Sequence, residues 1–276
     1  MSSIANTDAW LEQAFVPISL DTLNARAEML ERLDNKYVIG AAVLRRAAAE
    51  LAKHFDILEI DGCRTFTYET CYFDDADRNS YFNHHQGRRK RAKVRIRKYL
   101  EAGLCFVEVK LKDKRGATVK KRLPYDPVKF GVLDETALDY VHDAYFDQYR
   151  QEFPYELSRV VDMRYVRMTL VAKRGGERMT IDSQLRFFAL GSSHAVRDDR
   201  FILETKSANG NGIADRILRT LHQHPTKHCS KYCTAIAILN QGTKHNKFLP
   251  ALRKLGSVPG QQRELTVSPI EKEFAA

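Results

Sequence analysis

The stretch from Arg88 to Lys112, RRKRAKVRIRKYLEAGLCFVEVKLK, alternates charged and apolar residues through two runs that break at Glu101-Ala102-Gly103. A strand sends successive side chains to opposite faces, so this period of two constrains the fold more than any other feature of the chain. In the first run Lys93, Arg95 and Arg97 share a face opposite Val94 and Ile96. In the second, Phe106, Glu108, Lys110 and Lys112 oppose Val107, Val109 and Leu111. The expected hairpin lays a cationic face with one embedded carboxylate over an apolar back. On its own, the run also fits a solvated basic face, or a nucleic-acid or localisation patch.

The pattern recurs. Arg32, Asp34 and Lys36 alternate with Leu33, Asn35 and Tyr37; Lys120 shares a parity with Arg122, Tyr165 with Arg167 and Thr169, Arg178 with Thr180 and Asp182, and Ile202 with Glu204 and Lys206. A solvent face has no reason to mix carboxylates in so regularly. Collected inside a closed sheet, two cations about 6 Å apart at an effective dielectric of about 20 repel by roughly 3 kcal/mol. A bound polyanion offsets that repulsion.

The 276-residue chain has a net charge of +10 and a pI near 9.3, which favour an acidic partner: nucleotide, phosphate polymer, nucleic acid or membrane surface. With 43% hydrophobic and 29% charged residues it reads as globular, with a substantial core. No apolar run approaches the roughly 20 residues of a membrane helix. The start, MSSIANTDAWLEQAF, has neither a basic n-region nor an apolar h-region, so the cytoplasm is the expected compartment. Cys63, Cys71, Cys105, Cys229 and Cys233 are odd in number and lack CxxC spacing, as expected of reduced, mostly buried thiols. The alternative of a zinc site among His222, His224, His228, Cys229 and Cys233 has irregular ligand pairs, whereas Cys229 and Cys233 fit one packing face of a helix.

Helical spacing predicts helices within residues 1–30, packed outside the domain, and at 41–55, 134–153, 213–222 and 229–240. Ser19 or Asp21 can cap the second of the N-terminal helices. Asp74-Asp75-Ala76-Asp77 opens a short helix ending at Gly87, with an acidic metal loop as the alternative. Further strands are expected at 57–60, 65–73, 117–123, 160–171, 177–185 and 201–206. There is no P-loop, GxGxxG, GxSxG or HExxH, so any phosphate is held by side chains. The charged alternation spans 32–206 without a change of composition. One domain is therefore expected, with 1–30 its N-terminal helical segment, 31–245 its body and 246–276 a loosely ordered tail.

Arg-x-Asp-x-Lys-Tyr (32–37), Lys-x-Arg-x-Arg-x-Tyr (93–99), Phe-x-Glu-x-Lys (106–110), Lys-x-Arg (120–122), Tyr-x-Arg (165–167), Arg-x-Thr-x-Asp (178–182), Leu-Glu-Thr-Lys (203–206) and Ser-Lys-Tyr (230–232) follow one another in an order that resembles the VTC domain. That domain is the catalytic part of the vacuolar transporter chaperone polyphosphate polymerase, within the triphosphate tunnel metalloenzyme or CYTH-like superfamily. The resemblance covers about residues 15–240. It implies an α+β fold: a closed, eight-stranded antiparallel β-barrel around a basic tunnel, with helices outside.

The resemblance further implies a phosphotransferase that moves the terminal phosphoryl of a nucleoside triphosphate onto a polyphosphate chain with Mn²⁺ or Mg²⁺. A metal-dependent triphosphatase and a non-catalytic polyphosphate or nucleic-acid binding module are the alternatives. Expected partners are a nucleoside triphosphate and inorganic polyphosphate or pyrophosphate rather than nucleic acid. Lys36, Arg95, Arg97, Lys110, Arg167 and Lys231 are the expected catalytic cations, with Arg32, Lys93, Lys120, Arg122, Arg178, Lys206 and Ser230 holding substrate. Glu204 is the expected metal ligand, with Glu108, Asp34 and Asp182 as further candidates for the ion or for pairing with lysines. Asp34 stands where the superfamily often has glutamate in an ExExK pattern, and Thr205 where the late E-x-K strand usually has an apolar residue. The phosphate-sensing domain and membrane helices of the eukaryotic polymerases are not found in this sequence.

Overall fold

The computed structural model describes residues 9–26, 33–239 and 244–257; Arg32 lies outside them. In chain order the elements are α1 (Ala9–Glu12), β1 (Pro17–Ile18), α2 (Leu20–Arg26), β2 (Leu33–Gly40), α3 (Ala41–His54), β3 (Phe55–Leu58), β4 (Phe66–Asp74), α4 (Asn79–Gln86), β5 (Lys93–Tyr99), β6 (Leu104–Lys112) and β7 (Thr118–Pro124). There follow α5 (Glu135–Tyr149), β8 (Ser158–Ala172), β9 (Arg178–Ala189), β10 (Ser192–Ala195), β11 (Arg200–Ser207), α6 (Ile213–Thr220), α7 (Lys231–Leu239) and α8 (Leu249–Leu255). Ser19 Oγ accepts from the Thr22 amide at 3.2 Å and so caps α2.

The strands form one eleven-stranded sheet whose main path runs β2-β11-β9-β8-β4-β5-β6-β7, with β1 and β3 added beside β8, and β10 beside β9. Every neighbouring pair on the path is antiparallel. The expected closed eight-stranded barrel is corrected here. Eight strands make the path, but among the described residues its end strands, β2 and β7, do not pair with each other. Two local causes keep the seam open. The outer edge of β2 is already occupied, because Thr226 donates its amide to the Lys36 carbonyl at 2.6 Å and its hydroxyl accepts from the Val38 amide at 3.2 Å. On β7, the consecutive cations Lys120, Lys121 and Arg122 and the terminal Pro124 make a strand edge that discourages further pairing.

Alternation then sorts the core. One sheet face carries Val94, Ile96, Val107, Val109 and Leu111 against α5. The same face, farther along the path, carries Tyr37, Ile39, Met168, Leu170, Met179, Ile181, Phe201 and Leu203 against α1, α3 and α6. On the other face, Val38, Tyr72, Val161, Met163, Phe187 and Ile202 pack on α7 and α8. Every residue of α7 from Tyr232 to Leu239 is buried, which explains a helix that is apolar all round rather than along one stripe. Residues 246–257 correct the start of the expected tail: α8 is anchored by buried Phe248, Ala251, Leu252 and Leu255. Strand β10, of sequence Ser-Ser-His-Ala, has no apolar alternation and was not expected.

Asp215 ties α6 to the sheet. Its carboxylate accepts from Tyr37 Oη at 2.7 Å, Asn35 Nδ2 at 3.0 Å, Thr205 Oγ1 at 2.7 Å and the Gly212 amide at 2.9 Å, while only 1% exposed. Thr205, polar where an apolar residue is usual, thus has a definite partner. Burial, reinforced by the bond to Asp215, pushes the Tyr37 hydroxyl well above its ordinary pKa, keeping it a donor. Among the described residues no group of three or more His, Cys, Asp or Glu is placed to hold a metal, and Asp74 and Asp75 instead cap α4 through the amides of Ser80, Tyr81 and Asn79. Cys71, Cys105, Cys229 and Cys233 are buried thiols and Cys63 is exposed. No helix among the described residues is long and apolar enough to cross a membrane.

Asp215→Ala strands buried donors on three elements, at about 1 kcal/mol or more each. It is expected to lower the unfolding free energy by about 3 kcal/mol, read from the urea midpoint at unchanged slope; a loss below about 1 kcal/mol would show that Asp215 does not hold α6.

Candidate active site

Register carries the charged parity from strand to strand. Lys36 pairs with Glu204 and Asp34 with Lys206; Glu204 pairs with Thr180, Lys206 with Arg178, and Asp182 with Arg167. On the other half of the path Tyr72 pairs with Arg95, Thr70 with Arg97, Arg95 with Glu108, Lys93 with Lys110, Glu108 with Arg122 and Lys110 with Lys120. These residues share one face, the face that α7 covers farther along. The sheet curls enough to confront its ends: Lys110 on β6 feels Glu204 and Lys36 on β11 and β2, and Lys112 feels Asp34.

Three buried or half-buried carboxylates are each held by two cations. Glu108, fully buried, pairs with Arg95, whose Nε lies 2.6 Å away, and with Lys120. Asp182, also fully buried, takes Arg167 in bidentate fashion at 2.6 and 2.8 Å, and takes Lys231 from the start of α7. Glu204 contacts Lys206 and lies 3.6 Å from Lys36, while Lys206 reaches Asp34 at 3.2 Å. Burial works to raise all three carboxyls, but the surrounding cations together outweigh it (Arg95, Arg97 and Lys120 at Glu108, Arg167 and Lys231 at Asp182, Lys36, Lys206, Arg167 and Lys110 at Glu204) and hold each below the ordinary carboxylate range. Burial lowers Lys36 too, but Glu204, together with Cys229, Asp34 and Tyr72, more than reverses the effect, leaving it above its ordinary value.

Other cations lack such partners. Arg97 is 5% exposed, yet among the described residues it has no ion pair; its Nε donates to Thr70 Oγ1 at 3.1 Å and its guanidinium stacks by Tyr68 and Tyr165 at 5.4 and 5.8 Å. Lys110 has neither hydrogen bond nor ion pair among the described residues, and Arg95 nearby, together with burial, drives its pKa well below the ordinary lysine value. Lys93 donates to Ser230 Oγ at 2.8 Å, and burial lowers it as well. Ser230 and Lys231 reach the face because α7 is pinned there: Tyr232 donates its hydroxyl to the buried Asp74 carboxylate.

Of the residues singled out in the sequence, those on β2, β5, β6, β8, β9, β11 and α7 gather on this one face. Lys120 and Arg122 share the face but lie exposed at the β7 edge, where Arg122 sits over Phe106 at 4.9 Å. Tyr68, Thr70 and Tyr72 of β4 join this face without having been among the expected site residues. Their own period-two spacing and their register against Tyr99, Arg97 and Arg95 were the available signal.

The family model for the VTC domain matches residues 31–240. The chain belongs to the VTC domain family. No curated protein matches it. Among solved structures it resembles the putative adenylyl cyclase HpAC1 from Hippeastrum, described as having a dominant triphosphatase activity. That match has 14% identity and a TM-score of 0.47, over 74% of this chain and 94% of that one. It also resembles a putative adenylate cyclase from Bacillus halodurans (12% identity, TM-score 0.40, over 88% and 97%) and PH1012 from Pyrococcus horikoshii (14%, 0.38, over 70% and 91%). Similarity at this level carries no argument about activity.

This VTC domain offers carboxylates of two kinds for a divalent cation. The side chains of Glu108 and Asp182 are fully buried, each between two cations. Those of Glu204 and Asp34 are 18% and 41% exposed and are bridged by Lys206. Mg²⁺ and Mn²⁺ are met by one or two carboxylates, with waters and substrate phosphates completing the shell, so Glu204 with Asp34 fits and Glu108 with Asp182 does not.

Because Glu108, Asp182 and Glu204 have folded pKa values below their unfolded ones, their stabilisation is fully present above about pH 4.3 and is lost as pH falls further. Urea midpoints are expected to drop steeply below pH 4. Lys110→Met is expected to stabilise the ligand-free protein by about 1 kcal/mol, after screening of a repulsion of a few kcal/mol, whereas Arg95→Met should cost about 3 kcal/mol by stranding Glu108. Equal and large losses in both variants would contradict the charge assignment.

Proposed function

We propose that this VTC domain transfers the terminal phosphoryl of a nucleoside triphosphate to a polyphosphate acceptor on the charged face. The observation that carries the reading is Arg97: a guanidinium almost wholly removed from water and, like Lys110 beside it, without an ion pair among the described residues, its nearby negative charge being Glu108, which Arg95 and Lys120 already contact. A buried lone cation is costly unless an anion joins it, and a chain of phosphates supplies several at strand spacing.

Arg97, Lys110 and Lys93 have charge to spare and bind the triphosphate. Arg95, Arg167 and Lys231 are held rigidly by Glu108 and Asp182, so they neutralise charge that develops on the phosphoryl oxygens without reorganising. Lys36 and Lys206 flank Glu204, which with Asp34 would hold Mg²⁺ or Mn²⁺. That ion supplies electrostatic polarisation of the phosphoryl group. A terminal oxygen of the acceptor chain attacks the γ-phosphorus, the bond to the β–γ bridging oxygen breaks, and the nucleoside diphosphate leaves. Positioning and charge neutralisation carry most of such a reaction, and no side-chain nucleophile is required.

Hydrolysis to nucleoside diphosphate and phosphate is the second reading, favoured by one feature. Helices α7 and α8 pack on Val38, Tyr72, Val161, Met163 and Ile202 and so cover the charged face's continuation, in the way of a chain that threads straight past α7. The two readings separate on products. Incubation with ATP and Mn²⁺, followed by gel separation, is expected to give chains longer than pyrophosphate; orthophosphate alone would establish the triphosphatase. Glu204→Gln keeps the shape and removes the charge. It is expected to reduce metal-dependent turnover at least about 100-fold while leaving triphosphate binding intact or tighter, and turnover at the parental rate would remove Glu204 from the metal site.

A further inference from the structure

We infer that the β5–β6 end of the charged face is a nucleobase subsite, formed by Tyr99 and Phe106 with Arg122, so that the site takes nucleoside triphosphates in preference to inorganic tripolyphosphate. This deepens the phosphoryl-transfer reading and rests on it. The charged row on β5 ends in an aromatic one: Lys93, Arg95 and Arg97 are followed at the same parity by Tyr99, and on β6 Lys110 and Glu108 are followed by Phe106 and Leu104. Phe106 lies directly opposite Arg97, the buried cation that has no ion pair among the described residues.

Both rings are only half-buried. They meet edge to face at 5.9 Å, and Tyr99 is braced from behind by Tyr68 at 4.8 Å, which in turn stacks on Tyr165 at 5.3 Å. Leu104, opposite Tyr99, is 50% exposed and Leu100 at the tip 37%, so apolar surface faces water where the chain otherwise buries it. The tip itself is fixed: Glu101 accepts from the Thr67 amide at 2.9 and 2.7 Å, and Leu100 donates its amide to the Thr67 carbonyl at 3.1 Å. A fixed half-exposed aromatic pair has already lost the freedom that stacking would otherwise cost it.

Charge decides the occupant. An apolar peptide would bring nothing to match Arg97 on one side and the exposed Arg122 over Phe106 on the other. A nucleotide matches both. Residues of one parity are about 7 Å apart along a strand, so a phosphate at Arg97 leaves its base beside Tyr99 and Phe106. Stacking on an aromatic face tolerates any base and grows with ring area, and an arginine beside the ring strengthens it.

The test titrates the full chain with ATP, UTP and inorganic tripolyphosphate, each with Mg²⁺, by calorimetry. ATP is expected to bind about tenfold more tightly than tripolyphosphate, with UTP between them. Phe106→Leu, which keeps apolar bulk and removes the ring, should cut ATP affinity about tenfold and leave tripolyphosphate affinity within about twofold; Tyr99→Leu should behave alike. The tripolyphosphate arm also reports that the variants are folded. Equal affinity of the parent for ATP and tripolyphosphate, or equal losses for both ligands in the variants, would overturn the base subsite while leaving the phosphate reading intact. Failure of the parent to bind any of the three would overturn both.

Discussion

Like-charge confrontation on one face of a curled sheet is the constraint on which the rest of the structure depends. Lys36, Lys93, Arg95, Arg97, Lys110, Arg167, Arg178, Lys206 and Lys231 project toward a space that holds Asp34, Glu108, Asp182 and Glu204. Repulsion of this kind, at a few kcal/mol per close pair in a partly desolvated site, is a sizeable fraction of the 5–15 kcal/mol stability of an ordinary domain. The fold tolerates it by placing Glu108 and Asp182 where each contacts two cations and offsets part of their charge, and by packing large apolar clusters on the opposite face. Arg97 and Lys110 are left without ion pairs among the described residues, and in the proposed reading an anion supplies what they lack.

Two buried carboxylates outside the charged face do quieter work. Asp74 gathers the amides of Asp75, Ser80 and Tyr81 with the Tyr232 hydroxyl, which fixes both the start of α4 and the entry of α7. Asp215 gathers donors from β2, β11 and the turn before α6. Ser230 and Lys231 arrive on the charged face because the first network sets α7, and Lys36 and Glu204 keep their mutual register beside the second.

Much of this was legible in the residues. Strict alternation at 93–99, 106–112, 178–182 and 202–206 fixes face membership without coordinates, because a period of two has one structural meaning. Closure was not legible. Whether β2 and β7 meet depends on Thr226 occupying the β2 edge, a contact nearly two hundred residues distant in sequence and without a local pattern. The packing of α7 inside the curl was equally hidden, since an all-apolar helix reads as buried but not as buried against which face. Exposure of Arg122 and the pairing of Asp182 with Lys231 likewise follow from where the strands end and where α7 begins, not from parity. Thr205 was noticed as a departure, and its reason, Asp215, sits ten residues on, across the Asn-Gly-Asn-Gly break.

The central claim is that Arg97 is kept buried without an ion pair among the described residues in order to bind phosphate. Calorimetric titration of inorganic tripolyphosphate into the parent and Arg97→Met proteins, each at 50 and 300 mM salt, tests it most directly. The account predicts saturable one-to-one binding that weakens with salt, a loss of at least about thirtyfold in the variant, and a ligand-free variant no less stable than the parent. Undiminished binding in Arg97→Met, together with loss of stability in the ligand-free protein, would contradict it and make Arg97 a structural residue.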